Sequence, residues 1–158
     1  MVATRGDAGH AQLLLCRVGS KICGIPLEHV IETMRPASLE ALADMSELTL
    51  GVAMIRGRPT PIIDGRRLLG CDASQPPKRF VTLELERQRT VALAVDDVLD
   101  VRAIDAAALE PLPAILRGEG ASSLASLGAL DRELLVVLER AQLLPESFWK
   151  QLEQAPTP

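Results

Sequence analysis

The sequence predicts an all-β protein with short helices, assembled from two similar small units. Three observations lead there. Short apolar runs recur between Gly, Pro and Asp turn signals, which favours barrels or a sandwich over an α/β sheet. The order of elements repeats: Ile25-Pro26-Leu27-Glu28-His29-Val30 is echoed by Leu93-Ala94-Val95-Asp96-Asp97-Val98, and Ile62-Ile63-Asp64 by Val137-Leu138-Glu139, at offsets of 68 and 75 residues. A lone five-stranded unit of this size buries little apolar area, so the two units are expected to share an interface core.

Residues 1–10 are polar and small and are expected to be disordered. Residues 11–18 carry the run Leu13-Leu14-Leu15-Cys16 and form a strand; Gly19-Ser20-Lys21 turns the chain, and 22–27 return. Leu27, Val30, Ile31 and Met34 fit one helical face, so 27–34 is a short helix or a strand-helix corner, ended by Pro36. Residues 39–48 read as a connecting loop. The stretch 51–64 is a hairpin turning at Arg56-Gly57, where glycine accepts a positive φ. Pro59 and Pro61 cannot donate to a ladder, which puts the returning strand at an edge or a barrel corner. A short helix at 65–69 closes at Gly70. Residues 72–78, with Pro76-Pro77, are the clearest linker.

Strands are expected at 79–85 and 90–95 around a turn at 86–89. Residues 96–101 read as a corner, and 104–116 as a loop held by Pro111 and Pro113. A last hairpin spans 124–130 and 134–138, followed by short helices at 139–144 and 146–154. The domain therefore covers 11–145, with a C-terminal helix and tail at 146–158.

Composition excludes several function classes. A net charge of -4 argues against nucleic acid, whose phosphates need a Lys/Arg surplus, and three aromatics cannot build a stacking platform. No apolar run reaches the ~18 residues of a membrane span, so no direct membrane insertion is expected. The N-terminus lacks the apolar core of a signal peptide, which points to a cytoplasmic chain with reduced thiols. Cys16, Cys23 and Cys71 with His10 and His29 are too few for a metal site, so no metal and no cofactor are expected. Cys16 and Cys23 flank the turn at Gly19 and are placed to face each other across a hairpin.

No nucleophile or base sits beside Arg56, so an arginine at the rim of a greasy hairpin suits protein recognition better than catalysis, and no catalytic residue is assigned. A solvated turn arginine is the plain alternative. Asp64 and Glu139 precede short helices and read as caps. Asp96, Asp97 and Asp100 lack the spacing of a calcium loop and read as a solvated corner. Phe148 and Trp149 are adjacent and cannot share one narrow helical face, so one is expected on the barrel and the other exposed.

The run Gly51-Val52-Ala53-Met54-Ile55-Arg56-Gly57 with Pro61-Ile62-Ile63-Asp64 resembles the central signature of the CheW family of chemotaxis coupling proteins. Three further segments agree in order and spacing: Gly24-Ile25-Pro26-Leu27 with Val30, Val95-Asp96-Asp97-Val98 with Val101, and Leu127-Gly128-Ala129-Leu130 with 134–138. The resemblance covers roughly residues 12–144. It implies two intertwined five-stranded SH3-like barrels plus the C-terminal helix, no cofactor and no enzymatic activity. It implies an adaptor between the cytoplasmic tip of methyl-accepting receptors and the regulatory domain of a CheA-type histidine kinase, in membrane-associated or cytoplasmic receptor arrays, with self-association in those arrays left open. By position, the receptor groove would be lined by Val30, Thr33, Arg56, Ala92, Val98 and Val101. Met54, Ile55, Gly57, Pro61 and Asp64 belong to the signature hairpin. The chain departs from the family at Met54, commonly Asn, at Gly65, usually Leu, at Thr33, commonly aliphatic, and at Cys23, usually aromatic. The departures at Met54 and Gly65 leave a second reading, an accessory protein that binds receptors but not the kinase.

Overall fold

The structure is a computed structural model; it describes residues 9–41, 47–72, 75–105, 107, 110–111, 124–130, 133–138, 148–150 and 152. Eleven strands occur among them: β1 (His10–Val18), β2 (Lys21–Pro26), β3 (Val30–Met34), β4 (Thr49–Ile55), β5 (Arg58–Asp64), β6 (Arg79–Glu84), β7 (Thr90–Val95), β8 (Asp97–Asp105), β9 (Glu110–Pro111), β10 (Leu124–Leu130) and β11 (Glu133–Leu138). One α-helical turn, α1 (Gly65–Leu68), follows β5, and 3-10 turns span Leu27–His29 and Glu86–Gln88. Residues 148–150 and 152 are helical.

The repeat legible in the sequence is a repeat of strand order. One sheet runs β8-β1-β2-β11-β10-β9 and the other β3-β6-β7-β5-β4. Exchanging β1 with β6, β2 with β7, β3 with β8, β4 with β10 and β5 with β11 turns one order into the other, leaving only the two-residue β9 over. The parallel contacts correspond as well, β11 on β2 and β5 on β7. Setting β9 aside, each half of the chain gives two strands to one sheet and three to the other, so the sheets are intertwined as expected.

Apolar residues on both faces of the central strands follow from this exchange. In β1, Leu13 and Leu15 enter one core with Ile22 and Val137, while Leu14, Cys16 and Val18 enter another. In β7, Val91, Leu93 and Val95 join that second core, and Ala92 and Ala94 face a third with Ile55, Ile62 and Phe80. The middle core is the shared one, since it takes side chains from both sheets and from Phe148, Trp149 and Leu152. Full burial of a Val or Leu stabilises by about 1.5–3 kcal/mol, so this doubly covered ladder is where most of the stability resides.

The two sheets are clasped at Asp96, the single residue between β7 of one sheet and β8 of the other. Its N–H donates to Arg17 O at 2.9 Å. Its Oδ2 accepts from the Gly19 N–H at 2.6 Å, and Arg66 Nε donates to both carboxylate oxygens at 3.0 and 3.2 Å. The Asp96 hydrogen bond holds the Arg66 guanidinium still further above its ordinary range. Arg66 is presented by α1, whose first turn is capped by Asp64 Oδ1 accepting from Arg66 N–H at 3.0 Å. Lys21 Nζ donates to Leu69 O at 2.5 Å, a cation at the C-terminal end of the same turn. Gly65 permits the approach, because a Cβ there would lie 2.5 Å from Ala94 O. The departure at Gly65 thus has a packing cause.

Several expectations are corrected. β5 is an interior strand, between β7 and β4. Pro59 and Pro61 fit there because the pairing with β7 starts only at Ile62, so the earlier part has a neighbour on one side alone. Residues 97–105 form a nine-residue edge strand where a corner and the start of a loop were expected, and Glu110–Pro111 pair with β10. Asp96 is no solvated acid, with a side chain only 14% exposed. His10 opens β1 rather than ending a disordered segment. Residues 27–34 divide into a 3-10 turn and β3. Both Phe148 and Trp149 are buried, in a T-shaped contact at 6.2 Å. The helix expected at 139–144 lies outside the described residues.

Two substitutions test the clasp. Gly65→Ala forces backbone apart at Ala94 and is expected to destabilise by about 1–3 kcal/mol in urea unfolding. Asp96→Ala removes the acceptor for Arg66 and Gly19 and is expected to cost about 1–3 kcal/mol by the same measurement.

Candidate functional site

β4 and β5 pair through Ile55↔Arg58, which leaves a two-residue loop of Arg56 and Gly57 at φ 51 and 76. That is the left-handed pair a twisted two-residue hairpin demands. Gly57 adopts it freely; Arg56 does not, and Asn would be the easier residue there. The side chain instead stands 75% exposed, and its Nε donates to Glu32 Oε2 at 2.5 Å. This hydrogen bond and the Glu32 charge push the guanidinium pKa up. An exposed pair adds little stability, so its effect is to aim the arginine along β3. Glu32 is itself fixed at a β-bulge, where the Thr82 hydroxyl accepts from its N–H at 3.1 Å and donates to its carbonyl at 3.2 Å.

The residues expected to line a receptor groove divide into three groups. Val30 and Val98 are half-buried against the shared core, and Val101, 48% exposed, sits on β8 opposite Leu14 of that core. Thr33 is exposed on β3, the strand that carries the Arg56 partner Glu32. Ala92 is a correction: it is fully buried beneath the second sheet, because β7 alternates and its even positions face inward. β3 and β8, which carry most of the residues expected to line that groove, are equivalent under the strand exchange, and each is the edge of its sheet. In the signature hairpin, Met54 is exposed, Ile55 and Pro61 are buried, and Asp64 caps α1.

Beside β3 lies an open groove of about 600 Å³ that the sequence did not announce. Its walls come from β3, the β4–β5 hairpin, the β6–β7 turn and the C-terminal helix, and include Ile31, Arg58, Arg87, Arg89 and Trp149. These residues are scattered along the chain, and no motif groups them.

For catalysis the arrangement offers little. His29 is half-buried 3.4 Å from Glu28. Cys16 and Cys23 are register partners across β1 and β2, as their spacing suggested, and both are free thiols. Burial, with Asp97 nearby, pushes the Cys16 thiol up to about 12, and burial raises Cys23 well above its ordinary value. Neither supplies a thiolate near neutral pH.

The sequence matches the CheW-like domain family over residues 12–148. It is 27% identical over 140 residues to chemotaxis protein CheW of Klebsiella aerogenes, covering 88% of this chain and 84% of that one. It is 25% identical to chemotaxis protein CheW of Rhizobium meliloti, covering 87% and 89%. It is 30% identical to protein FrzA of Myxococcus xanthus, covering 76% and 75%. The fold is that of the scaffolding protein TtCheW from Thermoanaerobacter tengcongensis, with a TM-score of 0.72 at 20% identity over 84% of this chain and 90% of that chain.

Thiol chemistry checks the burial. With iodoacetamide at pH 8 the native protein is expected to be alkylated at the half-buried Cys71 alone, and at Cys16 and Cys23 only after unfolding, as read by peptide mass mapping.

Proposed function

The chain belongs to the CheW-like domain family, and from that premise we propose that it is a non-catalytic chemosensory adaptor. It couples the cytoplasmic tips of methyl-accepting receptors to the regulatory domain of a CheA-type histidine kinase, on the cytoplasmic side, at membrane-associated or cytoplasmic receptor arrays. The observation that carries this reading is the pair of equivalent edge strands, β3 and β8, whose Val30 and Val98 both pack on one shared core. Val30, Val98 and Val101 offer small aliphatic surface on those strands, and Arg56 reaches β3 through its bond to Glu32. A receptor tip is a helical hairpin, and helices dock by laying an apolar stripe into such a surface. Arg56 keeps donors for a carboxylate or an exposed carbonyl beyond its bond to Glu32. No helix among the described residues is long and apolar enough to cross a membrane. Weak interfaces gain strength from multivalency in an array, so self-association there needs no strong dimer in dilute solution.

The accessory reading, receptor binding without kinase binding, loses one of its two supports. Gly65 is accounted for by its approach to Ala94 O. Met54, exposed on β4, remains its only basis.

Arg56→Glu and Val101→Asp alter exposed side chains, and each is expected to leave the melting temperature unchanged. Each is expected to weaken binding to a receptor cytoplasmic fragment by about tenfold or more, measured by titration calorimetry. Wild-type affinity in both variants would remove the groove assignment.

A further inference from the structure

The strand exchange repeats one irregularity. On β3, Val30 and Glu32 pair with the adjacent residues Leu83 and Thr82 of β6, so Ile31 is one residue too many for the ladder. On β8, Val98 and Asp100 pair with the adjacent Cys16 and Leu15 of β1, and Leu99 is the extra residue. Ile31 and Leu99 are separated by the same 68 residues that separate Val30 from Val98 in the internal repeat. Positions three apart on a regular strand face opposite sides. Here the extra residue puts Val30 with Thr33, and Val98 with Val101, on the side of the shared core, the side taken by their partners Leu83, Val81, Cys16 and Leu14. Both extra residues are large, apolar and exposed, Ile31 at 49% and Leu99 at 42%. A single exposed apolar side chain is ordinary, and a bulge that only blunts an edge strand does so with any residue, polar ones included. An apolar one at the same step of both halves is a repeated feature. On β3 that residue also lines the open groove with Ile55, Arg56 and Pro59, so it is continuous with the arginine of the hairpin.

We propose that Ile31 and Leu99 are the specificity-determining contacts of the receptor-binding surface, each packing on an apolar side chain of the receptor's helical hairpin. The inference rests on the receptor reading above and names its selective residues; neither belongs to the motifs that carry the family resemblance. Val30, Thr33, Val98 and Val101 are small and form surface of low relief. The two longer side chains beside them discriminate by fit. A helix with an apolar residue facing each is accepted, whereas one with a charged residue there would have to bury that charge against hydrocarbon, which is costly. The acids next to the bulges are already engaged, Glu32 by Arg56 and Asp100 by Arg102, so the discrimination falls to the apolar pair.

The probe is a soluble cytoplasmic fragment of a methyl-accepting receptor from the same cells, the one the wild type binds most tightly. It is titrated by calorimetry against wild type, Ile31→Gln, Leu99→Gln and the double variant. Both side chains are exposed, so the melting temperature is expected to stay unchanged. Each single variant is expected to raise Kd about fivefold and the double variant about twenty-five-fold, because separate contacts add. Ile31→Leu and Leu99→Ile keep the apolar contact and are expected to bind within about twofold of wild type. Benzoylphenylalanine at position 31 or 99 is expected to cross-link to the fragment on irradiation, at a residue located by mass spectrometry. Lysine in place of that receptor residue is expected to weaken wild type more than the matching glutamine variant. Glutamine variants that bind like wild type, conservative variants that bind as poorly as the glutamine ones, no cross-link from either position, or equal weakening by the receptor lysine would overturn the proposal. If Arg56→Glu and Val101→Asp still weaken binding in that case, the receptor reading survives it. No binding of any receptor fragment by the wild type would overturn both.

Discussion

Asp96 carries more of this architecture than its single position suggests. It is the only residue between the last strand the second half of the chain gives to one sheet and the first it gives to the other. Its backbone is bonded to β1, and its carboxylate is shared by the β1–β2 turn and by Arg66 on α1. A carboxylate so placed must keep its acceptors filled, because a largely buried charge without partners is costly. The side chain therefore specifies where the crossover occurs and how the two sheets face each other. α1 serves the same junction. Its cap, Asp64, orders the turn that presents Arg66, and Gly65 lets that turn lie against β7.

The strand exchange fixed at this junction has a direct consequence for recognition. It places β3 and β8, the strands on either side of the crossovers, at the edges of their sheets with one shared core beneath them. Their inner residues, Val30 and Val98, pack on that core, while Ile31, Leu99 and Val101 remain exposed. Edge strands invite unwanted pairing, and β8 answers with Asp97, Asp100, Arg102 and Asp105 and a bulge opposite Leu15/Cys16. What is left is an aliphatic surface flanked by charges that oppose edge-to-edge pairing, which suits a scaffold that works by contact.

Much of this was legible in the residues. The runs Leu13-Leu14-Leu15-Cys16 and Val91 to Val95 are apolar on both faces, and the structure gives the reason: each strand separates two cores. The hairpin at Arg56-Gly57, the cap at Asp64 and the internal repeat followed from turn chemistry and order. β8 was not legible, because an edge strand with only Val98 and Ile104 half-buried shows no burial period and its charges resemble a corner. Ala92 was assigned by position in a motif, whereas strand alternation turns it inward. Phe148 and Trp149 are both buried because the helix sits at the shared core, with neighbours on more than one side. The arginine groove could not be read at all, since its walls meet only after the hairpins and the C-terminal helix have packed.

The most direct test of the coupling account is autophosphorylation of a purified CheA-type kinase with receptor cytoplasmic fragments assembled on vesicles, with and without this protein. The account predicts that kinase activity rises only when all three components are present and falls again when a ligand or mimic switches the receptors. Kinase activity indifferent to this protein, with receptors that still bind it, would contradict coupling and leave a receptor-binding accessory.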